Sequence, residues 1–201
     1  MAVETLPMTR RERKKQQVEK DIRRAALRLF QDKGFKETNV DEILELADIS
    51  KGTFYNYFPS KEAVLMRIAQ RSVEQITTAL QKSPYKNDPI RMLEEAYNYL
   101  IDDVYSWRNV ARYVATMHAQ QGTGAHRAVC ELFEAYVLQA QEAGIVSKEF
   151  ESACITQVLA GSYYAAIIGL DDHVQIDECK QFLKNALALH MRGMCADGAA
   201  D

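Results

Sequence analysis

Five polar side chains stand within seven residues: Lys51, Thr53, Tyr55, Asn56 and Tyr57. They comprise an ammonium, a hydroxyl, two phenols and a carboxamide. Such a set binds phosphates and bases and does not transform a substrate. Lys and hydroxyl groups meet phosphate oxygens, and an Asn amide can bond N6 and N7 of adenine together. Gly52, set among them, has no Cβ, so the backbone there can approach a phosphate closely. Phe54 and Phe58 are four apart and share one face of a helix. Lys51, Thr53, Asn56 and Tyr57 are then left on the outside, with Tyr55 at the margin. Asn56 has two readings of equal standing: it selects an A·T pair, or it bonds only phosphate or water.

Chemistry of other kinds has little support. No nucleophile–base pairing, P-loop or glycine-rich cofactor fingerprint occurs, so neither a catalytic residue nor a cofactor is expected. His118, His126 and the run Asp171-Asp172-His173 are the candidate metal ligands, but their spacing matches no metal site, and none is expected. Cys130, Cys154, Cys179 and Cys195 are scattered, which points to free thiols in a reducing cytoplasm. No run of about 18 apolar residues and no apolar segment behind the N-terminal charges is found, so no membrane partner is expected.

Charge is distributed unevenly. The 201-residue chain has a net charge of -3, yet residues 1–70 hold 14 Lys and Arg against 11 Asp and Glu. Eight basic residues and three acidic ones lie between Arg10 and Arg24. A basic front on an acidic remainder fits a protein that meets phosphate at one end. A solvated basic helix start reads equally well from charge alone.

Helical periodicity must position these groups, and it runs through almost the whole chain. The fold expected is all-α. Residues 1–9 are expected to be disordered. A first helix reads over 18–32, with Ile22, Ala25, Ala26, Leu29 and Phe30 on one face, stopped by Gly34 in the left-handed conformation. The second helix has two candidate capping boxes, Thr38 with Asp41 and Asn39 with Glu42. A tight turn at Asp48-Ile49 follows, and Ser50 caps a third helix over 51–58. Pro59-Ser60 breaks it, and a fourth runs over 61–80. Five more read over 89–106, 109–120, 126–142, 148–170 and 175–192.

The ordered run Ala25-Ala26-Leu27-Arg28-Leu29-Phe30, Lys33-Gly34-Phe35, Asn39-Val40-Asp41-Glu42-Ile43 and Ile49-Ser50-Lys51-Gly52-Thr53-Phe54-Tyr55-Asn56-Tyr57-Phe58-Pro59-Ser60-Lys61-Glu62 resembles the DNA-binding domain of TetR-type transcriptional regulators. The likeness covers residues 22–65, about a quarter of the chain. It implies a disordered basic arm over 1–17, a helix-turn-helix domain over 18–62, and a helical effector-binding and dimerisation domain over 63–201. It further implies that Asn39, Lys51, Gly52, Thr53, Tyr55, Tyr57 and Lys61 meet DNA, with Lys61 pinning a phosphate. Asn56 departs from the family, which often has an aromatic residue there. The function implied is a cytoplasmic bacterial repressor, a homodimer on a palindromic operator, released by a small-molecule effector. Control by a protein partner, or action as an activator, stands as the alternative, with a helical-bundle enzyme behind it.

Beyond residue 62 the sequence offers patterns rather than motifs. Gly161, Ala165 and Gly169 fall four apart in a small-residue line beside Val158 and Ser162, and Phe182, Leu183, Ala186 and Leu187 belong to an apolar stripe. Together they suggest a four-helix dimer interface. The stripes otherwise complete the monomer core. The middle helices are rich in aromatic and Met side chains, and Tyr113, Met117, His118 and Tyr163 are the candidate effector contacts. Core packing is the competing reading for each.

Overall fold

The computed structural model describes residues 9–121, 124–169 and 175–194, and among them it contains nine helices and no strand. They are α1 (Arg10–Lys33), α2 (Val40–Ala47), α3 (Lys51–Tyr57), α4 (Lys61–Leu80), α5 (Pro89–Ser106), α6 (Arg108–Gln121), α7 (Gly124–Glu142), α8 (Ser152–Gly169) and α9 (Ile176–Met194). The chain divides into two compact units, Met1–Ile68 and Ala69–Asp201. The division falls within α4, six residues after the boundary expected from the sequence.

The first unit is built on one apolar seam. Ile22, Ala25, Ala26 and Phe30 of α1 are buried with Ile43 of α2, Phe54 and Phe58, and Val64 and Leu65 of α4. Burying a large apolar side chain contributes about 1.5–3 kcal/mol. A seam of this size is therefore what holds α2 and α3, which are too short to be stable alone. The helix of α1 begins at Arg10, eight residues ahead of the expected start, so residues 10–17 are not a disordered arm. Thr9 explains this: its side chain accepts from the Glu12 N–H while Glu12 accepts from the Thr9 N–H, a complete capping box. Gly34 ends the helix at φ 90°, ψ 161°, a glycine conformation other than the left-handed helical one expected. Of the two candidate caps for α2, Asn39 with Glu42 is used. Thr38 instead is buried and donates its hydroxyl to the Gly34 carbonyl.

The second unit centres on α5, whose Met92, Leu93, Ala96, Tyr97, Leu100, Ile101 and Val104 are buried. It packs against α7 and α9, while α8 packs against α6, α7 and α9. Tyr97 is buried and donates to the Leu159 carbonyl at 2.8 Å, with its ring 5.0 Å from that of Phe133. Burial pushes its phenol pKa up, so the hydroxyl remains a donor. Gln141 ties the turn after α7 by donating to the carbonyls of Ser147 and Phe150. Helix α8 starts at Ser152, four residues later than expected. It is long and apolar enough to cross a membrane by length and composition, yet it buries Ile155, Leu159, Tyr163 and Ile167 in this unit.

Candidate nucleic-acid interface and ligand cavity

The turn between α2 and α3 is three residues long. Asp48 stops α2 at φ 52°, in the left-handed region, and the Ile49 N–H closes back on the Leu44 carbonyl at 3.1 Å. Ser50 then caps α3 by accepting from the Thr53 N–H at 3.2 Å. Phe54 is fully buried and Phe58 nearly so, their rings 6.2 Å apart. This back face fixes which way the helix points. Lys51, Gly52 and Asn56 are exposed, Tyr55 is 48% exposed, and Thr53 and Tyr57 are half-buried at the edge. The arrangement expected from the i, i+4 phenylalanines is thus present, with Tyr55 further out than the margin. A β-carbon at Gly52 would meet nothing within 4 Å, so its surface is open to a close approach.

Several of these groups already have partners. Thr53 shares a hydrogen bond with the Ser50 hydroxyl at 2.9 Å. Lys51 lies 3.9 Å from Asp41, and both are mostly exposed. Such a pair holds weakly and gives way to a phosphate. Exposed Asn39 uses its carbonyl oxygen on the Glu42 N–H at 3.0 Å, while Glu42 accepts from the Asn39 N–H and pairs with Lys33. The Asn39 hydrogen bond first, and Lys33 second, hold the Glu42 carboxyl below its ordinary pKa.

Lys61, expected to pin a phosphate, rests here on backbone carbonyls. Its Nζ donates to the carbonyls of Phe35 at 2.9 Å, Lys36 at 3.3 Å and Thr38 at 2.6 Å, and lies 4.7 Å from the centre of the Phe35 ring. A lysine ammonium has three donors, and all three are committed to the α1–α2 connection. Lys61 is a clamp that fixes this connection and the start of α2. Farther along, Glu19 joins Arg67 at 3.0 Å and Arg23 at 3.6 Å.

The second unit holds a small, partly open cavity of about 20 Å³. Its polar lining is Ser72, Asp103, Trp107, Tyr163 and Tyr164; the rest is Ala, Val, Leu and Ile. Asp103 accepts from the Trp107 indole N–H at 3.0 Å. Burial first, then neighbouring Tyr164 and Asp103, push the Tyr163 pKa well up, so it stays a neutral phenol. Of the effector contacts expected, Tyr163 alone lines this space among the described residues. Tyr113 and Met117 are half-buried and outside its lining, and the His118 side chain lies outside the described residues. Sequence reasoning missed Asp103; its place one helical turn before Trp107 was the available signal. An open groove of about 420 Å³ lies between α4 and α7, edged by Glu74 and Glu131. It is larger and more open, and Tyr136 is its one aromatic lining residue among the described residues. His126 shares a hydrogen bond with the Tyr164 hydroxyl at 3.2 Å, and no metal-ligand cluster occurs among the described residues.

The face expected for dimerisation is only partly exposed. Val158 (42%), Gly161, Ala165, Ile168 and Gly169 of α8, with Phe182 and Leu189 of α9, face outward, and Ser162 is half-buried beside His190. Leu183 and Leu187, however, are buried at 1% and 4%, and Ala186 is half-buried. The α9 stripe is wide enough to serve two faces, and those two leucines belong to the buried one.

Comparison with known proteins agrees with this geometry. The family described as bacterial regulatory proteins, tetR family, matches residues 22–68. The regulator EthR of Mycobacterium tuberculosis is 29% identical over 147 residues, 71% of this chain and 66% of its own. The regulator YuxN of Bacillus subtilis, itself uncharacterized, is 42% identical over 73 residues, 36% of this chain and 25% of its own. The chain thus spans just under two thirds of EthR and a quarter of YuxN. Among solved structures, FadR of Thermus thermophilus, a TetR-family repressor in complex with lauroyl-CoA, superposes with TM-score 0.77 at 23% identity, over 91% of this chain and 98% of that one. RolR in complex with resorcinol gives TM-score 0.71 at 22% identity, over 94% and 92%. At such identities the two structures establish a shared fold. Residues 22–68 thus match the family of bacterial regulatory proteins, tetR family, and the helical layout of the chain is shared with these structures.

Proposed function

We propose that this chain is a cytoplasmic, DNA-binding transcriptional repressor that acts as a homodimer on a palindromic operator and is released by a small molecule. The observation that carries the reading is α3: a short helix with a phenylalanine back and an outward face of Lys51, Gly52, Tyr55 and Asn56. Major-groove reading requires that shape, and two copies are needed to span half-sites about 34–36 Å apart. The outward apolar face of α8 and α9 supplies the dimer contact. The exposed basic turns of α1 add a field that draws in DNA of any sequence.

Release by a ligand is supported by the small-molecule complexes of the two structural neighbours and by the aromatic cavity. A site of about 20 Å³ holds little more than one water, so the ligand binds an opened form. That gives it the unequal affinity for two states without which no ligand shifts an equilibrium. Helix α4 is the lever, since it begins at Lys61 and supplies Ala69, Ser72 and Val73 to the cavity. The same small volume favours a second reading, control by a partner protein. Selection from a random duplex pool tests the DNA-binding core of the proposal. Enrichment of an inverted repeat is expected, and no enrichment would overturn it.

A further inference from the structure

We infer that the first two turns of α1, residues 10–17, are a preformed helical site for the phosphates of duplex DNA, separate from the face of α3 and resting on the DNA-binding role proposed above. All eight residues are exposed, and the first buried side chain of α1 is Ile22, a further turn along. Arg10, Arg11, Arg13, Lys14 and Lys15 lie in these turns, and none of them forms an ion pair among the described residues. Glu12, the one acid, commits its carboxylate to the N–H of Thr9 at 2.8 Å and to its hydroxyl at 2.9 Å.

Folding does not account for these cations. Positive side chains at a helix N-terminus oppose the macrodipole. Arg10 with Lys14 and Arg11 with Lys15 set like charges four apart, which weakens the helix further. The Thr9–Glu12 capping box and the bond from Gln17 to Asp21 at 2.8 Å hold the turns helical against that cost. A bound anion removes both penalties at once. A field alone is screened beyond about 8 Å at physiological salt, so charges that serve affinity there must touch the phosphates. At 1.5 Å per residue the eight residues span about 12 Å, long enough to meet two phosphates of one strand. The segment has no apolar side chain to insert into a lipid surface or to fill a pocket on a protein. Duplex DNA is the polyanion it fits, because the same compact unit carries α3.

The test follows binding of the full-length protein to the selected duplex and to a random duplex by fluorescence anisotropy across a salt series. One variant combines Arg10→Gln, Arg11→Gln, Lys14→Gln and Lys15→Gln, which keeps good helix formers and removes the charge. The slope of log affinity against log salt should fall by about 1.8, two phosphates at about 0.9 each, on both duplexes. The preference between the duplexes should stay within about twofold of the parent's, since phosphate contacts carry no base readout. The melting temperature should hold or rise, because cations set against the dipole are gone, whereas a purely structural role would lower it. Gln16→Pro keeps every charge and breaks the helix ahead of the buried seam, and should weaken binding to both duplexes by about threefold or more. An unchanged slope, a lost preference or a lowered melting temperature in the Gln variant, or full affinity in Gln16→Pro, overturns the inference. If the parent shows no preference between the duplexes, the operator reading fails, while the slope on the random duplex still decides this one.

Discussion

Replacing Lys61 with Met separates two roles that a helix-start lysine can play. Met has similar length and keeps the apolar contact with the Phe35 ring. It removes three donors from the carbonyls of Phe35, Lys36 and Thr38. Hydrogen bonds from a charged donor contribute about 1.5–3 kcal/mol each. The Lys36 bond is exposed and contributes little, while the other two are part-buried. Water re-solvates part of what is removed at a half-buried site, which leaves a cost of about 2–3 kcal/mol. At about 2–4 °C per kcal/mol for a chain of this size, thermal unfolding should fall by about 4–12 °C. The second readout is the slope of log affinity against log salt for duplex DNA. If Lys61 is a clamp, its removal leaves every phosphate partner in place, and the slope stays that of the parent protein. If Lys61 instead binds a phosphate, its removal lowers the slope by about 0.9 and leaves the melting temperature in place. That second pattern would refute the clamp.

Three further outcomes are expected. Gly161→Arg puts a long charged side chain where a β-carbon meets nothing within 4 Å. The monomer should fold as before while sedimentation shows loss of the dimer, and a persisting dimer would exclude this face from the interface. Asn56→Ala should relax base preference at one A·T position of each half-site, by about 1–3 kcal/mol of discrimination. Unchanged preference in binding-site selection would leave Asn56 as a phosphate or water ligand. Glu42 is held below its ordinary pKa of 4.5 by Asn39 and Lys33. A carboxyl depressed in the folded state stabilises above its unfolded pKa, and that contribution is lost as pH falls through the folded value. Glu42→Gln should therefore flatten the loss of stability below about pH 4.5 in acid titrations followed by circular dichroism, and an identical acid profile would deny Glu42 this role.

The first unit is legible in the sequence because its signals are local. Asn39 and Ser50 mark helix starts by their side-chain chemistry, and the Phe54–Phe58 spacing fixes the buried face of α3 with no long-range information. The start of α1 was also written locally, in Thr9 and Glu12, but apolar periodicity begins only at Ile22, and a reading tied to periodicity started too late. Lys61 was opaque for a different reason. Its partners lie 23 to 26 residues earlier, and nothing in a helix-start lysine says whether it swings toward solvent or back onto a preceding loop. In α9 the apolar stripe spans two faces, so pattern alone does not tell the core residues Leu183 and Leu187 from exposed Phe182 and Leu189. The cavity was hardest to see. Aromatic residues are spread over the middle helices, and only tertiary packing selects Trp107, Tyr163 and Tyr164 to share a space with Asp103.

The most direct test of the central claim, that the outward face of α3 reads DNA, is fluorescence anisotropy of the selected duplex and a random duplex across a salt series, with the parent protein and Lys51→Ala. The account expects the parent to prefer the selected duplex by about 10³-fold or more, with a steep salt slope. It expects Lys51→Ala to lose affinity and about one unit of slope. Equal binding of both duplexes, or a Lys51→Ala protein that binds the selected duplex as the parent does, would contradict it.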